Sequence, residues 1–230
     1  MARLPRIVIA GHAHHVLQRG HDGGPIVRDD EDRRRWLALL RDAVASQRVS
    51  LHAWVLLDDH FHLVATPPEA QALGRMVQSL TRRHAAAFNR RHVRRGTLWE
   101  GRYRASLVQP GAWLADALVY VEQHPARAGL VSAAAEWPWS SAQHHLGMVR
   151  DPALGEAAAW WALGNTPFER EASWQRRLTE GLDERTVLRI TNATRRGWPI
   201  GEPDFLAALQ ATVPQRLAPR PRGRPPRSAA

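Results

Sequence analysis

Two histidines and one tyrosine supply the residue types needed for metal-assisted nucleophilic chemistry. His60 and His62 flank Phe61 at the end of an apolar run, and Tyr120 precedes His124 by four residues in a helical pattern. Side chains alternate faces along a strand, so the two histidines project to one side and form half of a metal site. Residues four apart share one side of a helix, so Tyr120 and His124 form a second pair.

The chemistry that these groups support is the breaking and rejoining of a phosphodiester. A phenol of ordinary pKa about 10 is a weak nucleophile but needs less activation than a serine hydroxyl, and its phosphate ester preserves the bond energy for rejoining. A divalent metal would polarise the attacked phosphate. Mn²⁺ or Mg²⁺ suits imidazoles with open positions, and Zn²⁺ is a tight competitor. His124 is the candidate third ligand, because Gln123 projects further from the apolar stripe of its helix.

Other interpretations of the same residues remain open at this level. Two histidines at alternate strand positions are more often unrelated polar positions than ligands. An isolated Tyr120 would be expected to pack with its hydroxyl in water. Tyr103 is the only other tyrosine, but no metal-binding side chain lies at helical spacing to it. A zinc hydrolase using His60, His62 and another histidine is disfavoured, because no carboxylate has the His-Glu-x-x-His spacing.

Composition indicates a polyanionic partner. The chain has 230 residues and a formal net charge of +10, and its 32 basic residues are all arginine. Guanidinium groups bind phosphate oxygens in a bidentate manner, so nucleic acid is the expected partner. Genomic base composition could explain arginine in place of lysine, but not the excess of basic over acidic residues. The absence of cysteine excludes disulfides, thiolate zinc sites and cysteine nucleophiles.

No segment has the pattern of a secretion signal or a membrane span. The apolar run near the N-terminus is too short for a signal sequence, and no later run approaches the length needed to cross a bilayer. We therefore expect a cytoplasmic protein.

The apolar periodicity predicts the elements that position these side chains. Strand patterns occupy residues 7–19, 51–57, 60–65 and 102–108, with Asp58-Asp59 as a hairpin turn. Helical patterns occupy residues 32–47, 73–88 and 113–124, and Pro125 ends the last of them. This order is typical of an α+β fold, with a ferredoxin-like antiparallel sheet and helices packed on it.

The C-terminal third changes in composition. Helical patterns cover residues 184–196 and 203–210, and the arginine- and proline-rich tail has no apolar periodicity. We predict a catalytic domain over residues 1–145, a small helical extension over 146–215 and a disordered basic tail over 216–230. The tail contains Arg222-Gly223-Arg224-Pro225, the core of an AT-hook, although a generic basic tail is the more common meaning of so short a match.

Five motifs follow one another through the first part of the chain. They are HHVLQRG from His14, AWVLLDDHFHLV from Ala53, FNRRHVRRGTLWEGRYR from Phe88, YVEQHPARAGLV from Tyr120 and WPWSS from Trp137. This ordered set resembles the REP-associated tyrosine transposases of bacteria, which are single-tyrosine HUH transposases of insertion-sequence type. The resemblance covers about the first 145 residues, and ordered motifs are far more specific than any one of them.

The resemblance implies a function and a set of site residues. In that family two histidines bind the divalent metal, which makes His60 and His62 ligands. The family's tyrosine attacks a single-stranded DNA phosphate and leaves a 5′-phosphotyrosine link and a 3′-hydroxyl, which makes Tyr120 the nucleophile. Relatives recognise imperfect palindromic repeats that fold as hairpins, with a flanking tetranucleotide as guide. Some relatives act as dimers and others as monomers, so the oligomeric state stays open.

Two positions depart from the family's pattern. The residues before the histidine pair are usually Pro-Asn, whereas here they are Asp58-Asp59, which could add an acidic oxygen near the metal. The position four after the tyrosine usually carries a side-chain amide, whereas here it is His124. An imidazole can still coordinate, so this change could alter the metal preference without removing a required group.

Arginines and aromatic residues near the motifs are candidates for DNA contacts, because arginine binds phosphate and aromatic rings stack on unpaired bases. The candidates are Arg90, Arg91, Arg94, Arg95, Trp99, Arg102, Tyr103 and Arg104, with Arg222 and Arg224 in the tail. The resulting hypothesis is a metal-dependent DNA-nicking and strand-joining enzyme. The alternative is a non-catalytic DNA-binding protein that derives from a transposase.

Overall fold

The computed structural model describes residues 6–155 and 157–218 and contains one antiparallel sheet. The strands are β1 (His14–Arg19), β2 (Ser50–Leu56), β3 (His60–Thr66) and β4 (Arg104–Leu107). Their order across the sheet is β2-β3-β1-β4, and every neighbouring pair is antiparallel. The predicted ferredoxin-like α+β fold is therefore confirmed.

The helices of the described residues lie between Asp30 and Thr212. They are α1 (Asp30–Gln47), α2 (Ala70–Arg91), α3 (Ala112–Glu122), α4 (His124–Arg127), α5 (Ala142–His145), α6 (Ala158–Trp161), α7 (Pro167–Glu180), α8 (Glu184–Arg196) and α9 (Pro203–Thr212). None of them combines the length and the hydropathy needed to cross a bilayer.

Local sequence explains where several elements begin and end. The Asp29 carboxylate accepts a hydrogen bond from the Asp32 amide and caps α1. The first strand begins at His14 rather than at residue 7, because Gly11 takes a positive φ of 72° and turns the chain just before it. Asp58 and Asp59 lie between β2 and β3, as predicted for the hairpin turn.

The two faces of the sheet carry different helices. On β3, Phe61 and Leu63 point into an apolar cluster that includes Trp36 of α1 and Met76 of α2. The alternate residue Val64 points into a second cluster, which is built around α3. Since His60 and His62 share the parity of Val64, the period of the strand places them on the α3 face.

Part of the C-terminal segment packs on the same face as α3. Trp174 of α7 and Ile190 of α8 belong to the apolar cluster of that face. Gly197 ends α8 with a φ of 75°, and the chain then returns to the sheet, where the Ile200 amide donates to the Leu107 carbonyl at 2.8 Å. This attachment to β4 fixes α8 across the face. The domain boundary between residues 145 and 146 stays a prediction, and most of the predicted tail lies outside the described residues.

The tryptophan-rich motif after α4 closes the free edge of β2. The Leu56 amide donates to the Trp139 carbonyl at 2.9 Å, and the Ser141 amide donates to the Trp54 carbonyl at 2.9 Å. Pairing an exposed edge in this way satisfies backbone groups that would otherwise need water.

A buried carboxylate ties α3 to that motif and to α7. Glu122 is fully buried, and its oxygens accept hydrogen bonds from the Ser141 hydroxyl, from His145 Nδ1 at 2.5 Å and from Trp174 Nε1 at 2.7 Å. Three donors on one carboxylate compensate for its burial. Because Glu122 lies two residues after Tyr120, this network also sets the position of the helix that carries the tyrosine.

Replacing Glu122 by glutamine should destabilise the fold. An amide offers one acceptor oxygen and turns its NH₂ group toward a buried donor, so the Glu122→Gln variant should lose about 2 kcal/mol of unfolding free energy. Urea denaturation measures this loss. Glu180→Gln, on the exposed end of α7, is the matched control and should stay within about 0.5 kcal/mol of the wild type. Equal midpoints for the two variants would contradict a supporting role for the Glu122 network.

Candidate metal and tyrosine site

Three histidines and a tyrosine meet between the sheet and α3. One nitrogen from each of His60, His62 and His124 lies within 4.8 Å of the others. The ring of Tyr120 lies 5.7 Å from that of His62 and 6.0 Å from that of His124, between centroids. All four residues line one cavity of about 170 Å³. The sheet supplies two of the imidazoles, and α3 with the start of α4 supplies the rest.

Hydrogen bonds fix the orientation of His60. Its Nδ1 lies 2.5 Å from Asp59 Oδ1, which, as an acceptor, fixes the ring proton on that nitrogen. The Nε2 atom therefore presents a lone pair, and it lies 3.1 Å from Nε2 of His124. A carboxylate that holds the far nitrogen of a metal-binding histidine is a common arrangement. The departure from the family pattern at Asp59 thus has a structural role beside the histidine pair.

Burial keeps the other imidazoles neutral. Burial, with smaller contributions from the neighbouring side chains of His60 and Arg127, lowers the pKa of His124 to about 2. The pKa of His62 is lowered well below its ordinary value, again mainly by burial. A histidine must be unprotonated to bind a metal. These rings therefore remain available as ligands below the pH at which an exposed histidine takes up a proton.

A further histidine lies directly behind His62. Nε2 of His15 is 2.8 Å from Nδ1 of His62, and Nδ1 of His15 is 2.7 Å from the hydroxyl of Thr194 on α8. His15 is buried, and this burial lowers its pKa to about 3. The chain of bonds occupies Nδ1 of His62 and leaves Nε2 as the nitrogen that can face a metal.

The tyrosine is held by α8 and by an arginine. The Tyr120 hydroxyl lies 2.9 Å from the Thr191 hydroxyl, which itself donates to the Val187 carbonyl at 2.8 Å. The Thr191 oxygen therefore accepts the hydrogen bond that the phenolic hydroxyl donates. The guanidinium of Arg127 lies 4.3 Å from the centroid of the Tyr120 ring and donates to the Tyr120 carbonyl at 3.1 Å. This guanidinium places a fixed positive charge beside the phenol.

The donor set fits a divalent metal that accepts imidazole nitrogens. The three histidines converge, and Asp59 orients one of them. One adjustment is needed at His124, whose Nδ1 accepts a hydrogen bond from Arg127 at 3.1 Å. The single proton of this neutral ring then lies on Nε2, toward His60, and must leave that nitrogen before it can coordinate.

His124, the predicted third ligand, lies beside His60 and His62, whereas its sequence neighbour Gln123 does not. Gln123 turns away and donates from its amide to the Leu178 carbonyl at 3.0 Å. The competing nucleophile Tyr103 packs against the α1–α2 cluster on the other face, under the guanidinium of Arg6. The metal-ligand and nucleophile roles of these residues remain predictions.

Two candidate DNA contacts lie beside the site. Arg102 and Arg104 line a cavity of about 270 Å³ that shares Leu17, Arg19 and Arg195 with the cavity of the tyrosine. We call this second cavity the edge groove. It is the part of the predicted DNA surface that continues directly from the candidate site.

The other predicted DNA contacts in the described residues lie around the end of α2. Arg91 is paired with Asp29, Glu31 and Asp32, and Arg94 donates to the Thr97 carbonyl at 2.9 Å. The Trp99 indole donates to the Thr81 carbonyl at 2.9 Å. Arg90 and Arg95 are exposed. Arg222 and Arg224 lie outside the described residues, and DNA contact by any of these side chains stays a prediction.

Sequence reasoning missed four residues that contact the site. His15 and Arg127 lie in the motifs HHVLQRG and YVEQHPARAGLV. These motifs indicated the family, but sequence reasoning assigned neither residue a role. Thr191 and Thr194 had no signal beyond their spacing of three residues, which places them on one side of α8.

The sequence of this chain was compared with the profiles of known protein families. Residues 12–124 match the sequence profile of the IS200-like transposases. This part of the chain is similar to that transposase family. The match begins just before β1 and ends at His124, so it includes the histidine pair and the tyrosine. The resemblance predicted from the sequence is confirmed, while α8 lies beyond the matched residues. No curated protein matches the chain.

Two solved structures are similar to the chain. The first is a REP-associated tyrosine transposase bound to a REP hairpin, with a TM-score of 0.52 and 16% identity, covering 69% of this chain and 93% of that one. The second is a candidate transposase from Deinococcus radiodurans R1, with a TM-score of 0.37 and 20% identity, covering 47% of this chain and 88% of that one. The first likeness shows that the fold is shared.

The buried neutral histidines should make stability depend on pH. Folded His15, with its pKa lowered to about 3, stays neutral at pH 5, whereas an unfolded histidine takes up a proton below about 6.5. The unfolded state then binds more protons, so the free energy of unfolding falls with decreasing pH, by up to about 1.4 kcal/mol per pH unit for each such residue.

Urea denaturation at pH 7, 6 and 5 in EDTA measures this dependence. His15→Gln should have a shallower decline than the wild type between pH 6.5 and 5, whatever its stability at pH 7. His21→Gln, at an exposed position, should keep the wild-type slope. A wild-type slope in His15→Gln would show that His15 becomes protonated in the folded protein.

Proposed function

We propose that the protein is a metal-dependent endonuclease and strand transferase that acts on single-stranded hairpin DNA. The observation that carries the proposal is one cavity lined by a phenol and three imidazoles, Tyr120 with His60, His62 and His124. Similarity to a transposase family supports the reaction class. The fold shared with a REP-associated transposase bound to a REP hairpin supports a palindromic repeat as the substrate.

The reaction is a transesterification. The Tyr120 phenol oxygen forms a bond to phosphorus, and the bond from phosphorus to the 3′ oxygen breaks. The phenol loses its proton, and the leaving oxygen takes one up to become a 3′-hydroxyl, while the 5′ phosphate stays on the tyrosine. A divalent metal held by the three histidines would polarise the scissile phosphate and offset its developing charge.

Two residues of the chain prepare the nucleophile. Thr191 accepts the phenolic hydrogen bond and fixes the direction of the hydroxyl. Arg127, against the ring of Tyr120, places a positive charge that favours an anionic phosphate in the cavity. Substrate entry must displace Tyr120 from Thr191, since the phenol is only 4% exposed.

The edge groove supports a single strand as the ligand. Four arginines line this groove, and Arg19 pairs with Asp59. Within residues 6–155 and 157–218, the other three, Arg102, Arg104 and Arg195, form no ion pair with a carboxylate. Most arginines of α1 and α2 are different, because residues such as Arg33, Arg35, Arg75, Arg83 and Arg91 pair with acidic residues. Unpaired guanidinium groups that line a cavity beside the nucleophile suit the phosphates that flank a cleavage point.

A covalent adduct would test the nucleophile. The wild type should form a protein–DNA band on a denaturing gel with labelled repeat hairpins in Mn²⁺ or Mg²⁺ and none in EDTA. Tyr120→Phe should abolish the band, because no oxygen remains to attack phosphorus. Tyr103→Phe is the matched control, since the chain has only two tyrosines, and it should keep the band.

A gel-shift assay, run beside the denaturing gel, distinguishes the alternative function. Hairpin binding in a gel-shift assay, without an adduct in any metal, would favour the non-catalytic DNA-binding protein. An adduct that persists in Tyr120→Phe and disappears in Tyr103→Phe would reverse the assignment of the nucleophile.

The role of the edge groove can be separated from catalysis. In a Tyr120→Phe background with EDTA, the pair Arg102→Gln and Arg195→Gln should weaken binding of a single-stranded oligonucleotide. Each lost phosphate contact on a single strand changes the slope of log K against log salt by about 0.7, so the pair should flatten it by about 1.4. Fluorescence anisotropy titrations at salt concentrations from about 50 to 300 mM measure this slope.

Arg35→Gln with Arg75→Gln is the control for charge. It also removes two positive charges, but from arginines that are paired with Glu31 and Glu69. We expect the wild-type salt slope for this control. Equal flattening in both double variants would mean that net charge, rather than the edge groove, determines the binding.

A further inference from the structure

The turn between α2 and β4 presents an apolar side chain from an unfavourable backbone conformation. Three described residues other than glycine have a positive φ, namely Asp22, Arg48 and Val93, and only Val93 is β-branched. Its φ of 49° lies in the left-handed region, which a branched Cβ disfavours. Its side chain is 92% exposed, more than any other large apolar side chain in the described part of the chain. Burial in the fold therefore does not compensate for the backbone strain.

Hydrogen bonds hold this turn in its strained conformation. Val93 follows the cap of α2, at the position where glycine is the usual residue. The Arg94 amide donates to the Asn89 carbonyl at 2.8 Å, and the Asn89 side chain donates to the Gly96 carbonyl at 3.0 Å. The Arg94 guanidinium also donates to the Thr97 carbonyl at 2.9 Å. These bonds on both sides hold Val93 in a fixed position on the surface, and strain that is retained in this way is typical of functional positions.

Arginines without acidic partners lie on both sides of Val93 in the chain. Within residues 6–155 and 157–218, Arg82, Arg90 and Arg95 are exposed and form no ion pair with a carboxylate. Arg82 and Arg90 lie on one side of α2, because they are separated by two steps of four residues. DNA presents phosphates around the apolar faces of its bases, so unpaired guanidinium groups with an apolar side chain between them complement it in charge and polarity.

The chain that follows this turn leads to the candidate site. The His21 amide donates to the Leu98 carbonyl at 2.9 Å, and the Glu100 amide donates to the Arg19 carbonyl at 2.9 Å. These bonds attach the chain after the turn to the end of β1. Arg19 lines both the tyrosine cavity and the edge groove. A DNA strand that leaves the cavity past Arg19 would therefore meet the turn that carries Val93.

We propose that Val93 is an apolar wedge that packs against the last base pair of a hairpin stem, where the duplex passes into single strand. This inference rests on the hairpin substrate of the proposed function. Arg82, Arg90 and Arg95 bind phosphates of the stem, and the edge groove takes the unpaired strand. Apolar wedges of this kind offset the cost of unstacking bases by contacts to the DNA backbone. The wedge sets the distance from the stem to the phosphate that Tyr120 attacks.

Substitutions at Val93 separate the strain from the apolar contact. Val93→Asn should raise the midpoint temperature of thermal unfolding without DNA by about 2 to 4 °C, because asparagine adopts the left-handed conformation at little cost. The same variant should weaken binding of a repeat hairpin by about tenfold, because the stem loses an apolar contact. Val93→Leu also removes the branch at Cβ but keeps an apolar side chain, so it should keep the hairpin affinity of the wild type.

Calorimetry of the full-length chain measures the midpoint, and fluorescence anisotropy in EDTA measures the binding of two labelled probes. The first probe is a palindromic repeat hairpin with its single-stranded flank, and the second is a strand of equal length and composition that forms no stem. Val93→Asn should weaken binding of the first probe only, with an unchanged slope of log K against log salt. Arg90→Gln with Arg95→Gln should instead flatten that slope by about 1.8, since each phosphate contact on a duplex contributes about 0.9.

Val149→Asn is the control for an exposed valine. Val149 is 56% exposed and has no positive φ, so this variant should leave the unfolding midpoint no higher than that of the wild type and should keep the hairpin affinity. Wild-type hairpin affinity in Val93→Asn, or equal weakening of both probes, would overturn the proposal. A loss of affinity in Val93→Leu as large as in Val93→Asn would also overturn it. A dimer of the chain that dissociates in Val93→Asn, seen by analytical ultracentrifugation, would assign Val93 to contact with a second copy instead.

These measurements need neither a metal nor a covalent adduct, so they are independent of the catalytic proposal. If the Val93 variants behave as expected but Tyr120 forms no adduct, the wedge stands and the catalytic proposal fails. If the adduct forms and Val93→Asn binds the hairpin as tightly as the wild type, the wedge fails and the proposed function stands. A wild type that binds the hairpin no more tightly than the unpaired strand would overturn the wedge, while an adduct on that strand would retain the tyrosine chemistry.

Discussion

The register of β3 between its two neighbours is the constraint on which the candidate site depends. His62 lies opposite Leu17 of β1 and opposite Val55 of β2, so the strand is held from both sides. A slip of one residue would turn His60 and His62 into the α1–α2 cluster and bring Phe61 to the α3 face. The large apolar area that Phe61 and Leu63 bury on the correct side stabilises this register against the alternative.

The second constraint is the burial of imidazoles without charge. A buried charged group is costly, so burial keeps His15, His62 and His124 neutral. Asp59 holds the proton of His60 away from the centre, and the line through His15 serves His62. His124 is held differently, because Arg127 occupies its outer nitrogen. The three candidate ligands are therefore not equivalent, although they have the same chemical type.

Charge is also divided between the two sides of the molecule. The helices α1 and α2 carry many arginines, but Arg33, Arg83 and Arg91 are neutralised by acidic partners. Arg102, Arg104 and Arg195 meet in the edge groove without such partners among the described residues. These three guanidinium groups place unpaired positive charge where the sheet edge meets α8. This distribution gives a direction from the edge of β4 toward Tyr120 along which a phosphate backbone would be attracted.

Sequence alone determined the order of the elements through α3 and the side of β3 that carries the histidines, because both follow from apolar periods of two and 3.6 residues. It did not predict α7 (Pro167–Glu180). Ordered motifs were enough for the family. Sequence spacing also placed His124 rather than Gln123 beside Tyr120. Only the tertiary structure brought Thr194 to His15, and only ion pairing between distant segments distinguished Arg91 from Arg102. Contacts across such separations leave no local period in a chain, since they depend on how whole elements pack.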